Sequence, residues 1–390
     1  MAGLSNRIAK VAPSLTLSIT AKAKALKAQG INVISLSAGE PDFDTPEFIK
    51  DAAIEALRKG FTKYTPAEGT LELRKAIAEK LKRDQGLSYP PDQIIVSCGA
   101  KHSIFNLFQV MLQEGDEVLI PSPYWLSYPE MATLSGAKSV FIETDEKSGF
   151  KITPSQLEKK ITPKTKILVI NSPSNPTGAI YRKSDFEALI PALKKNPHVW
   201  ILSDEIYEKL IFDGEKHVSI ASLDPEIAKR TLLVNGHSKA YAMTGWRIGY
   251  AALPKPVADA VSSYQSHTTS NPNSFAQVGA LAAIQKGEAE AKRMCEIFQK
   301  RRDLFTAELK KIGRLKIFSP QGAFYVFVNI EATGLDSMRF TEKLLEEARV
   351  AVVPGKVFGS DRHVRLSFAC SEKDLLEASS RRLAEWIQRI

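Results

Sequence analysis

The chain of 390 residues contains only three cysteines, Cys98, Cys295 and Cys370. Their number is odd, they lie far apart, and no two of them form a CxxC pair. A disulfide scaffold or a structural zinc site needs more cysteines at closer spacing. The sequence therefore predicts a protein of a reducing compartment that has no disulfide framework and no metal site.

Long apolar stretches are also absent from the sequence. No run approaches the ~20 apolar residues that a membrane-spanning helix needs, and residues 1–15 lack the apolar core of a secretory signal. We therefore expect a cytoplasmic protein that does not enter a membrane.

Basic residues are in excess, but they are not clustered. The chain has 53 Lys and Arg against 44 Asp and Glu, which gives a net charge of +9. The basic side chains are spread singly along helical faces, as in Lys22, Lys24 and Lys27, and we interpret such faces as solvated. A nucleic-acid surface needs a concentrated basic patch, so small anionic metabolites are the expected partners instead.

The middle of the chain alternates between short apolar runs and helical patterns. Continuous apolar runs are typical of strands that are buried on both faces of a parallel sheet, and the intervening helices are typical of an α/β domain. The predicted strands are residues 94–96, 117–120, 139–142, 167–170, 199–202, 231–234 and 248–252, and the helices between them include residues 103–113, 126–134 and 184–195.

The two ends of the chain predict a second, smaller α+β domain. Residues 13–30 form a helical pattern that ends at Gly30, and long helical patterns return at residues 277–312 and 337–349, with strands at 325–329 and 364–368. We predict an N-terminal segment over residues 1–40, a large domain over 41–295 and a small C-terminal domain over 296–390.

Polar residues follow several of the predicted strands, where open α/β sheets bind their ligands. Gly99 and Ala100 precede a helix and would let backbone N–H groups approach a phosphate, although such a pair is often only a tight turn. Asn175 lies in a proline-rich turn that could be purely structural, but its amide could both donate and accept.

Two ionisable residues also follow strands. Asp204 comes directly after a buried run, which is costly without a partner, although an N-cap or a surface ion pair is a common explanation. Lys239 lies at the mouth of the sheet among apolar residues that would lower its pKa and make its amine nucleophilic. An isolated lysine is more often a surface side chain. Arg247, eight residues later, suits a phosphate.

One ligand would explain all of these strand ends at once. Pyridoxal 5′-phosphate has a phosphate for Gly99, Ala100 and Arg247, and a carbonyl for Lys239. It also has a ring nitrogen for Asp204 and a phenolic oxygen for Asn175. The pairing of a lysine with an acid at the ring nitrogen is the recognised arrangement for this cofactor.

Several longer motifs carry a resemblance to a known family. They are Ser37-Ala38-Gly39-Glu40-Pro41-Asp42-Phe43, Lys63-Tyr64-Thr65-Pro66, Ser122-Pro123-Tyr124-Trp125, residues 171–178, residues 203–207 and residues 238–249. The chain resembles the class I pyridoxal-phosphate aminotransferases over nearly its whole length, and is most similar to the bacterial and plastid-type aspartate aminotransferase subgroup. This resemblance implies the fold type I architecture, a large domain with a mostly parallel sheet and a smaller α+β domain.

The resemblance also implies roles for single residues. Lys239 forms the Schiff base and moves the proton, and Asp204 keeps the ring nitrogen protonated. Asn175 and Tyr207 bind the phenolic oxygen, and Trp125 stacks on the ring. The other implied cofactor contacts are Gly99, Ala100, Lys101, Ser238, Arg247 and, from the partner of a homodimer with shared sites, Tyr64.

For the substrate, the resemblance implies that Arg365 and Gly39 bind the α-carboxylate and that Trp125 and Asn175 line the pocket. Lys101 and Thr16 match the contacts to the distal carboxylate of a dicarboxylate. Ser14 lies in the same N-terminal segment, and Leu15 occupies a position whose side chain cannot donate a hydrogen bond. We expect transfer of an amino group from L-aspartate to 2-oxoglutarate by ping-pong chemistry, giving oxaloacetate and L-glutamate.

Other activities on the same fold stay open at this point. Prephenate, aromatic or other amino-acid aminotransferases and lyases share the cofactor motifs. Known prephenate-accepting members carry a basic residue where this chain has Ala12, which counts against prephenate. An aminotransferase-like transcriptional regulator would need a winged DNA-binding domain ahead of Ser37, for which the sequence leaves no room.

Overall fold

The computed structural model describes residues 3, 8–13 and 15–390 and is built around a seven-stranded sheet. Its strands are β2 (Ile94–Ser97), β3 (Glu117–Ser122), β4 (Lys138–Glu143), β5 (Thr165–Asn171), β6 (Trp200–Asp204), β7 (Thr231–Gly236) and β8 (Gly249–Ala252). Their order in the sheet is β2-β8-β7-β6-β5-β3-β4.

Continuous burial confirms that the sheet is covered on both faces. Every residue of β2, β7 and β8 is buried, as is nearly all of β5 and β6. The prediction of a mostly parallel α/β sheet is confirmed, with β8 as the exception, because it pairs antiparallel with both β2 and β7. A parallel pairing of consecutive strands needs a crossover connection, which is usually a helix. Because no helix lies between β7 and β8, the two strands pair antiparallel.

Helices cover both faces of the large sheet. They are α2 (Glu47–Arg58), α3 (Leu71–Gln85), α4 (Ala100–Met111), α5 (Ser127–Leu134), α6 (Pro154–Lys160), α7 (Lys183–Lys194), α8 (Pro225–Ala228), α9 (Lys255–Ser266) and α10 (Ser274–Lys286). The predicted helices at 103–113, 126–134 and 184–195 correspond to α4, α5 and α7 within a few residues.

The predicted single helix over residues 277–312 is wrong, since the structure contains two helices that meet at Gly287. A β-carbon at Gly287 would lie 2.4 Å from the Ala283 carbonyl oxygen and 2.7 Å from the Tyr241 ring. The chain therefore turns where only glycine lets it pack against Tyr241. The sequences of both helices have the helical period of apolar residues, so the pattern alone does not show that the helix ends at this turn.

A second, antiparallel sheet consists of β9 (Lys316–Ile317), β10 (Tyr325–Asn329), β12 (Val353–Pro354) and β13 (His363–Ser367). Their order in the sheet is β12-β13-β10-β9. The helices near it are α11 (Glu288–Lys310), α12 (Ser337–Ala348), α13 (Glu372–Leu376), α14 (Ala384–Arg389) and, between the last two, a π-helix over Glu377–Leu383.

The start of the chain joins this second part. Helix α1 (Leu15–Ala28) leads to β1 (Ile34–Ser35), which pairs parallel with β11 (Val350–Ala351). The helix predicted over residues 13–30 is thus two residues shorter at each end, and Ser14 lies outside the described residues. Helix α11 runs without a break across residue 295, and the division of the chain at residues 40 and 295 stays a prediction.

The topology brings the ends of the parallel strands to one edge of the large sheet. Strands β5, β6 and β7 end side by side there, at Asn171, Asp204 and Gly236. No helix in the described part of the chain is both long and apolar enough to cross a membrane.

Candidate active site

A cavity of about 460 Å³ opens at this edge of the large sheet, against the second sheet and helix α1. Twelve of the residues that the sequence analysis singled out line it, namely Thr16, Gly39, Ala100, Lys101, Trp125, Asn175, Asp204, Tyr207, Ser238, Lys239, Arg247 and Arg365. Two others do not. Gly99 lies directly against the Arg247 guanidinium, and Tyr64 is 90% exposed.

The Lys239 amine projects into this cavity from the connection between β7 and β8. Its Nζ donates a hydrogen bond to the Gly39 carbonyl oxygen at 2.5 Å, and it lies 6.0 Å from the Tyr207 ring centroid and 5.8 Å from that of Phe324. Burial among these groups lowers the pKa of Lys239 to about 8, and the nearby positive charge of Arg365 contributes to the lowering. An amine with such a pKa is partly unprotonated near neutral pH, as a nucleophile or a base must be.

Asp204 ends strand β6 and is only 4% exposed. Its Oδ2 accepts a hydrogen bond from the Tyr128 hydroxyl at 2.6 Å, and its Oδ1 accepts one from the Ile206 backbone N–H at 3.2 Å. Burial raises the pKa of Asp204 to about 6, against the opposing effect of the Tyr128 hydrogen bond. A cationic atom of a ligand in the cavity would stabilise a buried carboxylate of this kind.

Arg365 projects from β13 and is 2% exposed. Its Nη1 donates to Asn175 Oδ1 and its Nη2 to the Ser37 carbonyl oxygen, both at 3.0 Å. The guanidinium carbon lies 4.3 Å from the Tyr325 ring centroid, and the Nε atom is buried without a hydrogen-bond partner. Burial lowers the pKa of Arg365. A buried guanidinium held only by neutral acceptors is well placed to bind the carboxylate of a ligand.

The corner at the N-terminus of α4 suits an anion. A β-carbon at Gly249 would lie 2.1 Å from the Ala100 backbone nitrogen, so glycine is needed for β8 to pass this close to the helix N-terminus. Arg247 has a φ of +55°, and its Nη1 donates to the Thr244 carbonyl oxygen at 2.9 Å. The free N–H groups at a helix N-terminus together with a guanidinium form a phosphate site.

On the wall of the cavity, the hydroxyl groups of Tyr207 and Tyr325 lie 3.0 Å apart. The Asn175 backbone N–H donates to Asn171 Oδ1 at 2.9 Å, which fixes the turn after β5. Asn175 and Tyr207 are both buried. These polar groups therefore face the cavity from fixed positions.

Lys101 lies over the Trp125 ring, with its Nζ 4.9 Å from the ring centroid. Burial lowers the pKa of Lys101, and the positive charge of Arg247 adds to this effect. Thr16 faces the same cavity from helix α1. The Lys101 ammonium and the Thr16 hydroxyl thus line the cavity from two different helices, α4 and α1.

Sequence reasoning missed five residues of this site, namely Ser37, Tyr128, Tyr325, Thr20 and Lys24. The first three contact Arg365 or Asp204 directly, and the last two line the cavity from α1. Tyr128 lies in the helix predicted over residues 126–134, three residues after the quoted motif Ser122-Pro123-Tyr124-Trp125, so the end of that motif was a usable indication. Ser37 begins a quoted motif, and Thr20 and Lys24 follow Thr16 at helical spacing, which were usable indications as well. Tyr325 comes from a strand that is remote in sequence, and no local pattern marks it.

A buried ionic cluster lies behind the site, on the other face of β6. Glu205 accepts hydrogen bonds from Ser203 and Ser219 and lies 2.8 Å from His217 Nε2. Glu208 forms an ion pair with Lys80. Glu205, Glu208 and His217 each offer a possible metal-ligand atom, and these atoms lie within 4.8 Å of one another. The Lys80 ammonium and the hydrogen-bond donors already satisfy these acids.

Comparisons with known proteins agree with this geometry. A family model described as aminotransferase class I and II matches residues 31–381. The chain is 49% identical to an aspartate aminotransferase of Bacillus subtilis, over 99% of both chains. It is 46% identical to an aspartate/prephenate aminotransferase of Nitrosomonas europaea, over 97% of this chain and 98% of that one.

Solved structures of aspartate aminotransferases have the same fold as this chain. The aspartate aminotransferase of Rhizobium meliloti superposes with a TM-score of 0.95 at 44% identity, covering 99% of each chain. That of Thermus thermophilus, solved with maleate, has a TM-score of 0.94 at 46% identity and covers 99% of this chain and 100% of its own. The chain belongs to the class I and II aminotransferases, a pyridoxal-phosphate-dependent family, and is a transaminase.

Proposed function

We propose that the chain is an aspartate aminotransferase that uses pyridoxal 5′-phosphate to transfer the amino group of L-aspartate to 2-oxoglutarate, giving oxaloacetate and L-glutamate. The observation that carries this proposal is a pair of cations in one cavity. Arg365 is buried there without an acidic partner among the described residues, and Lys101 approaches from another element. Two cations suit the two carboxylates of a dicarboxylic amino acid.

The residues present fit the cofactor. Gly99 and Ala100 leave the N-terminus of α4 open beside Arg247, and these residues with Ser238 would hold the phosphate. Asp204, a buried acid, would hold the protonated ring nitrogen.

Asn175 and Tyr207 would bind the phenolic oxygen, and Trp125 would stack on the ring. When bound, pyridoxal phosphate supplies an electron-accepting ring that stabilises negative charge at the substrate α-carbon.

Lys239 then has the central catalytic role. With a pKa of about 8, its amine can take a proton from the substrate α-carbon and return one at the end of the half-reaction. The Gly39 carbonyl oxygen, which accepts a hydrogen bond from Nζ, fixes the direction in which the amine points. Lys239 is therefore proposed both to attach the cofactor and to move the proton.

The substrate is bound from both sides. Arg365, held by Asn175 and Ser37, would bind the α-carboxylate through its fork of donors, with Gly39 as a backbone contact. Lys101 and Thr16 would bind the distal carboxylate. Contacts at both ends of the substrate would hold it in one orientation relative to the Lys239 amine.

A homodimer with shared sites is part of the proposal. Of the large hydrophobic side chains that are exposed in the described part of the chain, five of seven fall between residues 54 and 71, namely Ile54, Leu57, Phe61, Tyr64 and Leu71. An apolar patch of this kind marks a protein interface. A second copy of the chain would cover it, and Tyr64 would then reach the phosphate in the partner's cavity.

The three free cysteines fit a cytoplasmic location.

Prephenate is a second candidate amino acceptor beside 2-oxoglutarate, because several relatives carry the name aspartate/prephenate aminotransferase. At the position where the known prephenate-accepting members have a basic residue, this chain has Ala12, whose backbone N–H donates to the Glu130 carboxylate at 3.2 Å. A neutral residue beside an acid does not attract another carboxylate. The local charge therefore counts against prephenate as the acceptor.

Two measurements test the function. The purified protein should be yellow, and its colour should fade on addition of aspartate or glutamate but much less with alanine. Prephenate, which is an oxo acid, should restore the colour of the faded enzyme much less than 2-oxoglutarate does. Lys239→Ala should abolish transamination while its thermal unfolding stays cooperative, because the fold does not depend on that amine. Full activity of Lys239→Ala, or a colourless protein that cannot be loaded with pyridoxal phosphate, would refute the proposal.

A further inference from the structure

One face of helix α1 carries a polar stripe into the cavity. Thr16, Thr20 and Lys24 recur at four-residue spacing, which places them on the same side of a helix, and all three line the cavity. The neighbouring Lys22 instead lies 3.8 Å from Glu346, and Lys27 does not line the cavity. Lys24 is exposed, as expected for a solvated lysine, but it also lies on the cavity wall.

The cavity is strongly positive. Its described lining contains five basic residues, Lys24, Lys101, Lys239, Arg247 and Arg365, and two acids, Glu40 and Asp204. Asp204 is hydrogen-bonded to Tyr128, and Glu40 accepts a hydrogen bond from Thr244 at 3.0 Å. A concave wall with an excess of one charge raises the local concentration of the opposite ion and speeds its capture.

Most of these cations already have a proposed ligand. Arg247 faces the phosphate corner and Arg365 the α-carboxylate, while Lys239 is the reacting amine. Lys24 forms no ion pair with any described residue. It is exposed whereas Thr16 is half-buried, and it lies about 12 Å along the helix from Thr16 at 1.5 Å per residue. Lys24 therefore stands at the outer part of the cavity wall.

We propose that Lys24 is a specificity-determining residue that captures the distal carboxylate of dicarboxylic substrates at the entrance of the cavity. This inference rests on the proposed aspartate aminotransferase function. Because the ammonium is exposed, it acts through an attraction that salt screens, and it raises the rate of capture more than the rate of the chemical step. A substrate with one carboxylate gains less, because its only carboxylate goes to Arg365.

The test compares Lys24→Gln, Lys24→Arg and the matched control Lys27→Gln in the holoenzyme. Lys27→Gln removes the same charge from the same helix. At low salt, Lys24→Gln should lower kcat/KM for aspartate about threefold to tenfold with kcat nearly unchanged, within the range of electrostatic steering. The loss should shrink at about 0.5 M salt, where the screening length falls to a few ångströms. Lys24→Arg should restore capture, and kcat/KM for alanine should change much less.

Binding of maleate gives a readout that is independent of turnover. Maleate is a dicarboxylate with neither an amino nor an oxo group, so it cannot react. Lys24→Gln should raise its Kd by the same factor at low salt, measured by calorimetry. Equal behaviour of Lys24→Gln and Lys27→Gln, or an equal loss for alanine, overturns the role of Lys24 while wild-type turnover of aspartate upholds the proposed function. A wild-type enzyme that does not turn over aspartate overturns both.

Discussion

The hydrogen bond from Tyr128 to Asp204 controls the charge of the acid that faces the cofactor site. The bond is 2.6 Å long and both residues are buried. A hydrogen bond to a charged group contributes about 1.5–3 kcal/mol, and each 1.4 kcal/mol is a factor of ten in an equilibrium constant. Tyr128→Phe removes the donor and leaves the ring in place.

Without that donor, the Asp204 carboxylate is less stable and its pKa rises above the value of about 6. We expect the affinity of the apoprotein for pyridoxal phosphate to fall about tenfold to a hundredfold. The acid limb of the kcat–pH profile should also move to higher pH, because Asp204 must be ionised to hold a protonated ring nitrogen.

The affinity is measured by absorbance titration of the apoprotein, and the pH profile with saturating aspartate. Tyr124→Phe is the matched control, since Tyr124 lies in the same segment and stacks on Phe141 instead. If Tyr128→Phe keeps wild-type affinity and a wild-type acid limb, the hydrogen bond does not tune Asp204 and the reasoning fails.

Two further predictions concern the distal carboxylate and the phosphate corner. Lys101→Ala should lower kcat/KM for aspartate about tenfold or more, since it removes a cation that is paired with a substrate charge, and should change that for alanine less than about twofold; equal losses would exclude Lys101 from the distal site. Gly249→Ala should destabilise the protein by about 2–3 kcal/mol in urea unfolding, because its β-carbon would lie 2.1 Å from the Ala100 nitrogen. Gly245→Ala, with nothing within 4 Å of the added carbon, should be nearly neutral, and similar losses in both variants would contradict the close approach.

The sequence predicted best what depends on local pattern. Asp204 and Lys239 were identified because an ionisable residue after a continuous apolar run must find a partner or a function, and the parallel topology brings such ends together. The resemblance then supplied Arg365 and Thr16, which come from other parts of the chain.

What the sequence did not predict depends on contacts between remote elements. The antiparallel direction of β8 follows from the lack of a crossover helix, and the break at Gly287 from packing against Tyr241. Helical spacing places Lys24, but not Lys22, on the same face of α1 as Thr16. Only the placement of α1 shows that this face lines the cavity.

The segment that follows helix α1 is hydrogen-bonded to the C-terminal part of the chain at several points. Ile34 pairs with Val350 in β1 and β11, the Ser367 backbone N–H donates to the Leu36 carbonyl oxygen at 2.8 Å, and Arg365 donates to Ser37. The two chain ends therefore form one body that carries both the arginine and the polar stripe of α1, while the large sheet carries Lys239 and Asp204. Substrate preference could accordingly be transplanted between relatives by exchanging both chain ends together, whereas a chimera that exchanges only one end would separate the two halves of the substrate-recognition surface.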